Sequence, residues 1–426
     1  MRKFTSYGPV NRTIHYYAPR EELITNVKSQ LLGEMSEQGG HYITVWAPRQ
    51  TGKTGILQQV LWLLQEDERF DVLKINLQQL ENVKEAKRVI KVLLREISRD
   101  LNMNLPNADD WEGFQEIFSV QYLSKPLILI IDEFDSLEEN IINGIVKVFR
   151  NIYMTRNDNL KKSNGQKKYM LHGVALIGIR SVLGIEKKQG SPFNVQRSIH
   201  IPNLTYEEVK NMFKWYEKES GQEVEDDVID TLYYELKGQP GLTCWFGELL
   251  TETYNKDKNK PVNMSLFKDV YLYASKLLPN NNILNIISKA KQDPYKQIVL
   301  DMFKTDEKYE FSFDDRELNF LYLNGVIDIE TITDENKEKE LYARFASPFI
   351  QKRLFNYFSR EHFKHMGKLV QPFENLDDAI TENNLNIKNL MKRYQKYLID
   401  NKDWLFKKAP RRIDMRIYEA VYHFNL

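Results

Sequence analysis

The sequence predicts an α/β protein in which a parallel sheet is covered by helices on both faces and is followed by a mainly helical region. Between about residues 41 and 202, short and almost wholly apolar segments alternate with amphipathic segments of helical period. Strands that lack polar alternation are typical of parallel sheets buried on both faces. After residue 202 the strand-like segments give way to helical patterns. The chain of 426 residues has room for roughly two or three domains.

The first predicted helix runs from about Pro19 to Gly33, because proline suits the start of a helix and glycine suits its end. Strands and helices then alternate along the α/β part of the chain. We expect strands at Tyr42–Trp46, Phe70–Leu77, Pro126–Ile131, Val174–Ile179 and Ser198–Ile201, with helices at Gly55–Leu64 and Asn82–Asn102.

A small helical domain is predicted after Pro202. Thr205 and Glu208 have the spacing of a capping box, in which each side chain accepts from the backbone N–H of the other residue. Helices are expected from there to about Lys237, and again from Leu242 to about Tyr254. The segment Gly238–Gly241 separates them, since its glycines and proline interrupt a helix.

The C-terminal part has a mixed pattern. A short helix ending at Gly325 is followed by two strand-like segments, 326–329 and 341–345, around a charged tip. This order predicts a winged-helix-like region, and the last stretch from residue 361 has a helical pattern. We therefore divide the chain into an α/β core with its lead-in (1–202), a helical lid (203–275), a winged-helix-like domain (276–360) and a helical tail (361–426).

Composition and charge exclude several classes of protein. The 60 Lys and Arg residues balance the 60 Asp and Glu residues, so the whole molecule is not attracted to nucleic acid or acidic membranes. The longest aliphatic run, Leu127–Ile131, is far shorter than the roughly 20 residues that cross a bilayer. The single cysteine, Cys244, excludes an internal disulfide and fits a reducing compartment. We expect a cytoplasmic protein without a membrane partner.

The segment Ala47–Thr54 carries the strongest chemical signal, because it ends in Gly-Lys-Thr between a predicted strand and a predicted helix. Backbone N–H groups of such a loop and of the helix N-terminus bind phosphate oxygens. Lys53 is expected to reach the β- and γ-phosphates, and the Thr54 hydroxyl to bind Mg²⁺. The candidate phosphate-binding residues are Ala47, Pro48, Arg49, Gln50, Thr51, Gly52, Lys53, Thr54 and Gly55.

The second signal is the aliphatic run Leu127–Ile131 followed by Asp132 and Glu133, which is a Walker B pattern. At the end of a buried strand beside the phosphate loop, Asp132 can hold Mg²⁺ through its water shell. Glu133 can then orient or deprotonate the attacking water, which favours hydrolysis over nucleotide storage. For Asp135 we predict that it caps the following helix.

Two arginines are candidates for contact with the γ-phosphate. Arg180 ends the predicted strand that we expect beside the Walker B strand, and a surface arginine leaving the sheet is the alternative interpretation. Arg197 precedes the last predicted strand, from which it can reach the γ-phosphate of a neighbouring subunit. A simple ion pair with a carboxylate is the alternative for Arg197.

Together these motifs resemble the AAA+ and STAND branches of the P-loop ATPases. The segment Tyr16–Leu23 resembles the motif that packs near the adenine in that group, with Pro19 in place of glycine, so the resemblance implies nucleotide contacts for Tyr17 and Arg20. The segment Gly238–Gly241 resembles the Gly-x-Pro motif of the helical lid, which implies a place for Pro240 near the phosphates. A lid arginine of the AAA+ type is not evident there.

More narrowly, Gly8–Asn11, Ala47–Thr54 and Phe345–Phe349 resemble a bacterial and archaeal set of AAA-like ATPases. Those proteins often carry a winged helix after the lid, and some continue into a PD-(D/E)XK nuclease-like domain. The resemblance implies a role in bacterial signalling or defence. From the tail we expect a chain that is truncated or has lost such a nuclease.

The sequence therefore predicts a protein that binds ATP and Mg²⁺ and hydrolyses the nucleotide. It lacks the Asn-Lys-x-Asp motif that reads guanine, which favours ATP. We expect a switch or motor that couples nucleotide state to a protein or nucleic-acid partner, and assembly into a homo-oligomer stays open. The alternative is a DNA-binding regulator in which bound ATP holds a conformation without being turned over.

Overall fold

The computed structural model describes residues 1–6, 8, 10–34, 39–158, 166–178, 196–303, 309–333, 338–362, 380–381 and 384–405. The chain forms two compact units. The first comprises Met1–Leu272 together with Leu323–Gly325, and the second comprises Tyr273–Tyr322 and continues from Val326. The finer division into four domains stays a prediction.

A five-stranded parallel sheet is the centre of the first unit, as the predicted fold class requires. Its spatial order is β2-β3-β4-β1-β5, so β4 lies between the strand that enters the phosphate loop and the strand that ends at Asp132. The expected position of β4 beside the Walker B strand is thus observed. The strands are β1 (Tyr42–Trp46), β2 (Asp71–Asn76), β3 (Leu127–Asp132), β4 (Leu171–Gly178) and β5 (Gln196–His200).

Helices cover both faces of the sheet, which explains why its strands are apolar throughout. In β3, Leu127, Leu129 and Ile131 belong to the core on one face. Ile128 and Ile130 belong to the core on the other face. The first face is covered by α3 (Ala86–Leu101), α4 (Trp111–Glu116) and α5 (Glu139–Asn157), and the second by α1 (Glu21–Leu32) and α2 (Lys53–Gln65).

The start of α5 corrects the prediction for Asp135. A 3₁₀ turn, Phe134–Ser136, follows β3, and Leu137 is extended, so the helix begins only at Glu139 with Glu138 as its N-cap residue. Because Asp135 lies within the turn, it does not cap α5. The buried Phe134 ring, 1% exposed, anchors this turn in the core.

Four helices follow the sheet: α6 (Tyr206–Ser220), α7 (Asp226–Leu236), α8 (Pro240–Glu248) and α9 (Met264–Lys276). The capping box at α6 is formed, with both Thr205 and Glu208 bonded reciprocally. The α8 helix begins two residues earlier than predicted, because Pro240 occupies the first helical position, where its missing N–H costs nothing. It continues into a π-helical turn, Leu249–Thr253.

The second unit combines helices with a small antiparallel sheet of three strands in the order β6-β8-β7. A two-stranded pair, β9 (Ile380–Thr381) and β10 (Asn384–Leu385), is separate from it. The strands of the larger sheet are β6 (Tyr309–Glu310), β7 (Ile327–Thr333) and β8 (Lys339–Phe345). The helices are α10 (Asn281–Ala290), α11 (Tyr295–Met302), α12 (Arg316–Leu323), α13 (Pro348–His362) and α14 (Ile387–Leu405).

Within the predicted helical tail, the structure describes the end of α13 and α14 as helices, while β9 and β10 form a strand pair that the prediction did not include. Residues 406–426 lie outside the described part of the chain. Within that described part, no helix is both long enough and apolar enough to cross a membrane.

Candidate nucleotide-binding site

The phosphate loop connects β1 to α2 at the carboxyl edge of the sheet. The Ala47 N–H donates to the Gly178 carbonyl, 3.4 Å away, which ties the start of the loop to β4. Gly52 has a left-handed backbone with φ of 89° at the N-cap of α2. A Cβ atom added at Gly52 or Gly55 would meet nothing within 4 Å, so open space lies in front of the helix N-terminus. This geometry suits a bound phosphate.

Lys53 lies within this loop and folds back onto it. Its Nζ donates to the carbonyl oxygens of Ala47 at 2.7 Å and Pro48 at 2.8 Å. Burial lowers the pKa of Lys53 to about 8, although the carboxylates of Asp135 and Glu133 act in the opposite direction. The ammonium group is thus held by neutral carbonyls in a partly desolvated position, where an anionic phosphate is a stronger partner.

Asp132 and Thr54 bring two oxygen ligands together from separate elements. Thr54 Oγ1 lies 3.5 Å from Asp132 Oδ2, although the two residues are 78 positions apart in sequence. The Asp132 side chain is 2% exposed. Carboxylate and hydroxyl oxygens are the hard donors that Mg²⁺ prefers. The donor set therefore fits the metal, with Thr54 and Asp132 as the residues that would hold it or its water shell.

Glu133 directly follows Asp132 at the end of β3. It adopts a left-handed backbone with φ of 56°, and its N–H donates to Asp132 Oδ1 at 3.1 Å. Burial raises the pKa of Glu133, and the charges of Asp135 and Asp132 raise it further. A carboxylate with a raised pKa is a better proton acceptor, as a general base requires.

A mostly apolar cleft lies next to the phosphate loop. The residues that the resemblance assigns to the nucleotide, Tyr17, Arg20 and Pro240, all line it. The Tyr17 ring is fixed edge-on to Trp215 with centroids 5.5 Å apart. The remaining walls come from the N-terminal lead-in, from α2 and from the lid, and include Ala18, Pro19, Ile24, Gly52, Gly55, Ile56, Leu204, Met212 and Cys244. An apolar cleft continuous with a phosphate loop suits a nucleotide base.

The Arg20 guanidinium itself is bonded to protein groups. It donates to the carbonyl oxygens of Pro202 at 2.7 Å and Asn203 at 3.2 Å, and it lies 3.3 Å from the Glu208 carboxylate. Those three residues connect the sheet to the lid. Arg20 therefore forms part of the cleft wall and holds the start of the lid. A direct nucleotide contact by its charge stays a prediction.

Gln239 is a site residue that the sequence interpretation missed. Its Nε2 donates to the carbonyls of Arg49 at 3.2 Å and Gln50 at 3.3 Å, and the Gly241 N–H donates to Gln50 at 3.0 Å. A Cβ atom at Gly241 would lie 2.7 Å from Gln50 Cβ, so only glycine permits this approach. The lid is thus joined directly to the phosphate loop. The Gly-x-Pro pattern pointed to this segment but not to the glutamine side chain.

Lys74 was also missed. Its Nζ lies 3.2 Å from Asp132 Oδ2, and its side chain is 14% exposed. The available signal was a single charged residue within the otherwise apolar segment 72–75. The sequence does not indicate which strand lies beside the one that carries Lys74.

The two candidate arginines are placed differently. Arg180 lies outside the described residues, so its role stays a prediction. Arg197 pairs with Ile43 in the sheet, four residues before Ala47, which puts it roughly 13 Å from the start of the phosphate loop along the strand direction. Its guanidinium donates to Gln30 Oε1 at 2.7 Å and lies 3.5 Å from Glu34. Arg197 therefore lies away from the loop of its own chain.

A parallel sheet of this strand order, with a phosphate loop after β1 and an Asp-Glu pair after β3, defines a P-loop ATPase fold. A family model described as "AAA-like domain" matches residues 6–258, which is more than half of the chain. The chain therefore belongs to the AAA-like domain family.

A solved structure supports this fold. The Walker-type ATPase PABY2304 of Pyrococcus abyssi is similar with a TM-score of 0.53 and 16% identity, over 82% of this chain and 99% of that chain. This likeness shows a shared fold and carries nothing about activity. No curated protein matches the sequence significantly.

Two further similar structures have TM-scores below 0.5 and support no inference. Cdc6p of Pyrobaculum aerophilum has a TM-score of 0.42 with 18% identity, over 84% of this chain and 97% of that chain. The RuvB Holliday junction branch migration motor of Thermotoga maritima has a TM-score of 0.41 with 12% identity, over 74% of this chain and 90% of that chain.

Proposed function

We propose that this protein binds ATP with Mg²⁺ between its α/β core and its helical lid and hydrolyses the nucleotide. The observation that carries the proposal is the meeting of Thr54, Asp132 and Glu133 at the carboxyl edge of the sheet, in front of an open helix N-terminus. Ligands in open parallel sheets bind at this edge.

The roles of the side chains follow from their chemistry. Lys53 neutralises the β- and γ-phosphates, and Thr54 and Asp132 hold the metal. Bound Mg²⁺ supplies positive charge that stabilises the charge developing on the phosphate oxygens. Glu133 orients and deprotonates the attacking water, since its pKa is raised. Hydrolysis is therefore expected to stop when Glu133 loses its charge, while binding of ATP persists.

Coupling to the rest of the molecule runs through the lid. Gln239 and Gly241 hydrogen-bond to the carbonyls of Arg49 and Gln50. A movement of the phosphate loop would therefore shift the start of α8. Arg20 fixes the beginning of the lid at Pro202. We infer a switch or motor in which the nucleotide state sets the position of the lid.

For the output we favour a protein partner over DNA. We interpret β6 to β8 with α12 as a winged-helix-like region. Residues 309–345 carry ten acidic side chains against four basic ones. This excess of negative charge opposes contact with phosphates, which supply most of the affinity for DNA. The alternative, a DNA-binding regulator that does not turn ATP over, would show binding to DNA that weakens steeply with salt.

The cellular setting and assembly are proposals as well. A reducing compartment such as the cytoplasm fits the single cysteine. A homo-oligomer would let Arg197, which lies away from its own phosphate loop, act on the nucleotide of a neighbour.

The test is steady-state phosphate release from Mg·ATP by the wild type and by Lys53→Ala and Glu133→Gln. We expect turnover in the wild type, lost binding in Lys53→Ala, and retained binding with turnover reduced at least about a hundredfold in Glu133→Gln. Glu139→Gln, an exposed carboxylate at the start of α5, is the matched control and should remain active. Undiminished turnover in Glu133→Gln would contradict the proposal.

A further inference from the structure

An ion pair connects the neighbouring strand β2 to the carboxylate that we assign to the metal. Lys74 Nζ lies 3.2 Å from Asp132 Oδ2, and the two side chains are 14% and 2% exposed. The other oxygen of Asp132 accepts the N–H of Glu133, and Oδ2 also faces the Thr54 hydroxyl at 3.5 Å. Lys74 is thus the cation in direct contact with Asp132 among the described residues.

The register of the sheet explains this contact. Lys74 lies directly across from Ile130, and Asn76 lies directly across from Asp132. Residues at i and i+2 of a strand share a face, so Lys74, Ile130 and Asp132 project to the same side of the sheet. Ile130 packs in the core beneath α2, the helix that begins at the phosphate loop. The lysine side chain therefore runs along the floor of the site to reach Asp132.

A buried charged carboxylate is costly unless a nearby positive charge and hydrogen bonds compensate it. At this site a divalent cation bound with the nucleotide would supply such a charge, and a protein cation can supply it when the metal is absent. Lys53 is bonded to the carbonyls of Ala47 and Pro48. Lys74 is the cation placed on Asp132 itself.

We infer that Lys74 is a positioning residue of the nucleotide site, which holds the Asp132 carboxylate in place and neutralises it when Mg²⁺ is absent. This inference rests on the proposed function. It implies that the chain can bind ATP without a metal, because Lys74 reduces the repulsion between Asp132 and the phosphates.

The experiment measures the Kd for ATP in excess Mg²⁺ and in EDTA, for the wild type and for Lys74→Met. We expect ATP binding in EDTA to weaken about tenfold in Lys74→Met, with little change in Mg²⁺. The ratio of the two Kd values should therefore rise about tenfold. Lys74→Arg should restore the wild-type ratio, and Lys84→Met, which removes an exposed lysine, should leave it unchanged.

The possible outcomes distinguish a failure of the Lys74 inference from a failure of the proposed function. An equal change of both Kd values in Lys74→Met would mean a merely structural lysine and would overturn the inference, leaving the proposed function intact. Wild-type protein that binds no ATP in either condition would overturn the proposed function and this inference with it. If Lys74→Met fails to fold, Lys74→Gln removes the charge, keeps a hydrogen-bond donor and carries the same comparison.

Discussion

Buried titratable side chains lie at both edges of the sheet, and their roles differ: those at the carboxyl edge belong to the candidate site, and the one at the amino edge stabilises the fold. At the carboxyl edge, Asp132 and Glu133 are arranged around the open loop. At the amino edge, His172 near the start of β4 is 0% exposed. The Nε2–H of its neutral ring donates to the Leu32 carbonyl at 3.0 Å, and the ring lies against Phe70 with centroids 4.6 Å apart. His172 therefore joins α1 to the sheet.

His172 should make the protein sensitive to acid. Burial, and then the nearby charge of Arg156, lower the pKa of His172 from 6.5 to about 3. Between those values the unfolded chain binds a proton that the folded chain does not, so stability is lost as pH falls below 6.5. We expect about 2 kcal/mol less free energy of unfolding at pH 5 than at pH 7 from this group.

The measurement is urea denaturation of the wild type and of His172→Gln at pH 7 and pH 5. Glutamine keeps a donor for Leu32 but does not titrate, so its acid loss should be smaller by about that amount. Equal losses in both proteins would show that His172 does not govern the response.

Single residues of the site were predictable where their chemistry is encoded locally. Lys53, Thr54, Asp132 and Glu133 follow from short patterns beside apolar strands, and the structure brings them together. Lys74 was not predictable, because its role depends on which strand lies beside β2 and in which register.

At the scale of elements, the described residues of the N-terminal segment, 1–6, 8 and 10–17, include side chains that pack against helices of the lid. Phe4 is 3% exposed and packs on Tyr16 and Phe213, with centroids 5.0 and 4.9 Å away. A Cβ atom at Gly247 would lie 2.5 Å from the Phe4 ring, so α8 makes room for it. Arg2 also forms an ion pair with Glu219 of α6. From there the chain continues along the cleft to α1.

Removing the Phe4 ring should destabilise this attachment. We expect Phe4→Ala to lower the free energy of unfolding by about 3 to 5 kcal/mol, as for other large-to-small core substitutions. Ile14→Ala is the control on the same segment, since Ile14 is 53% exposed, and it should cost no more than about 0.5 kcal/mol. Denaturant titrations of both variants measure the difference, and similar losses would refute the anchoring role of Phe4.

The boundaries of elements were predicted best where a local signal marks them. The capping box of Thr205 and Glu208 marked the start of α6. The start of α5 could not be predicted from the sequence, because a turn precedes the helix. This turn depends on the left-handed backbone of Glu133 and on the burial of Phe134. That turn is imposed by tertiary packing, and Asp135 was misassigned as a result.

At the scale of the whole molecule, the register between β1 and β5 separates Arg197 from its own phosphate loop. The pairing of Arg197 with Ile43 places it toward the amino edge of the sheet, where it contacts Gln30 and Glu34 of the α1 region. Action on a phosphate would therefore require the loop of another subunit. The sequence could not settle this, since the pairing register of two strands far apart in the chain is a long-range property.

A mixing experiment tests a shared site. If Arg197 acts across an interface, Arg197→Ala and Lys53→Ala should each be inactive alone. An equimolar mixture should regain part of the activity, because an intact loop from one variant meets an intact Arg197 from the other. Phosphate release should also rise per subunit with wild-type concentration. A mixture as inactive as its components, with flat concentration dependence, would leave Arg197 with only its contacts to Gln30 and Glu34.

The most direct test of the central claim is single-turnover cleavage of ATP by excess protein in Mg²⁺, read as chemical conversion to ADP. We predict that the wild type cleaves its bound ATP and that Glu133→Gln retains it uncleaved. Wild-type protein that holds intact ATP over hours, or Glu133→Gln that cleaves it at the wild-type rate, would contradict the assignment of this site as a hydrolytic one.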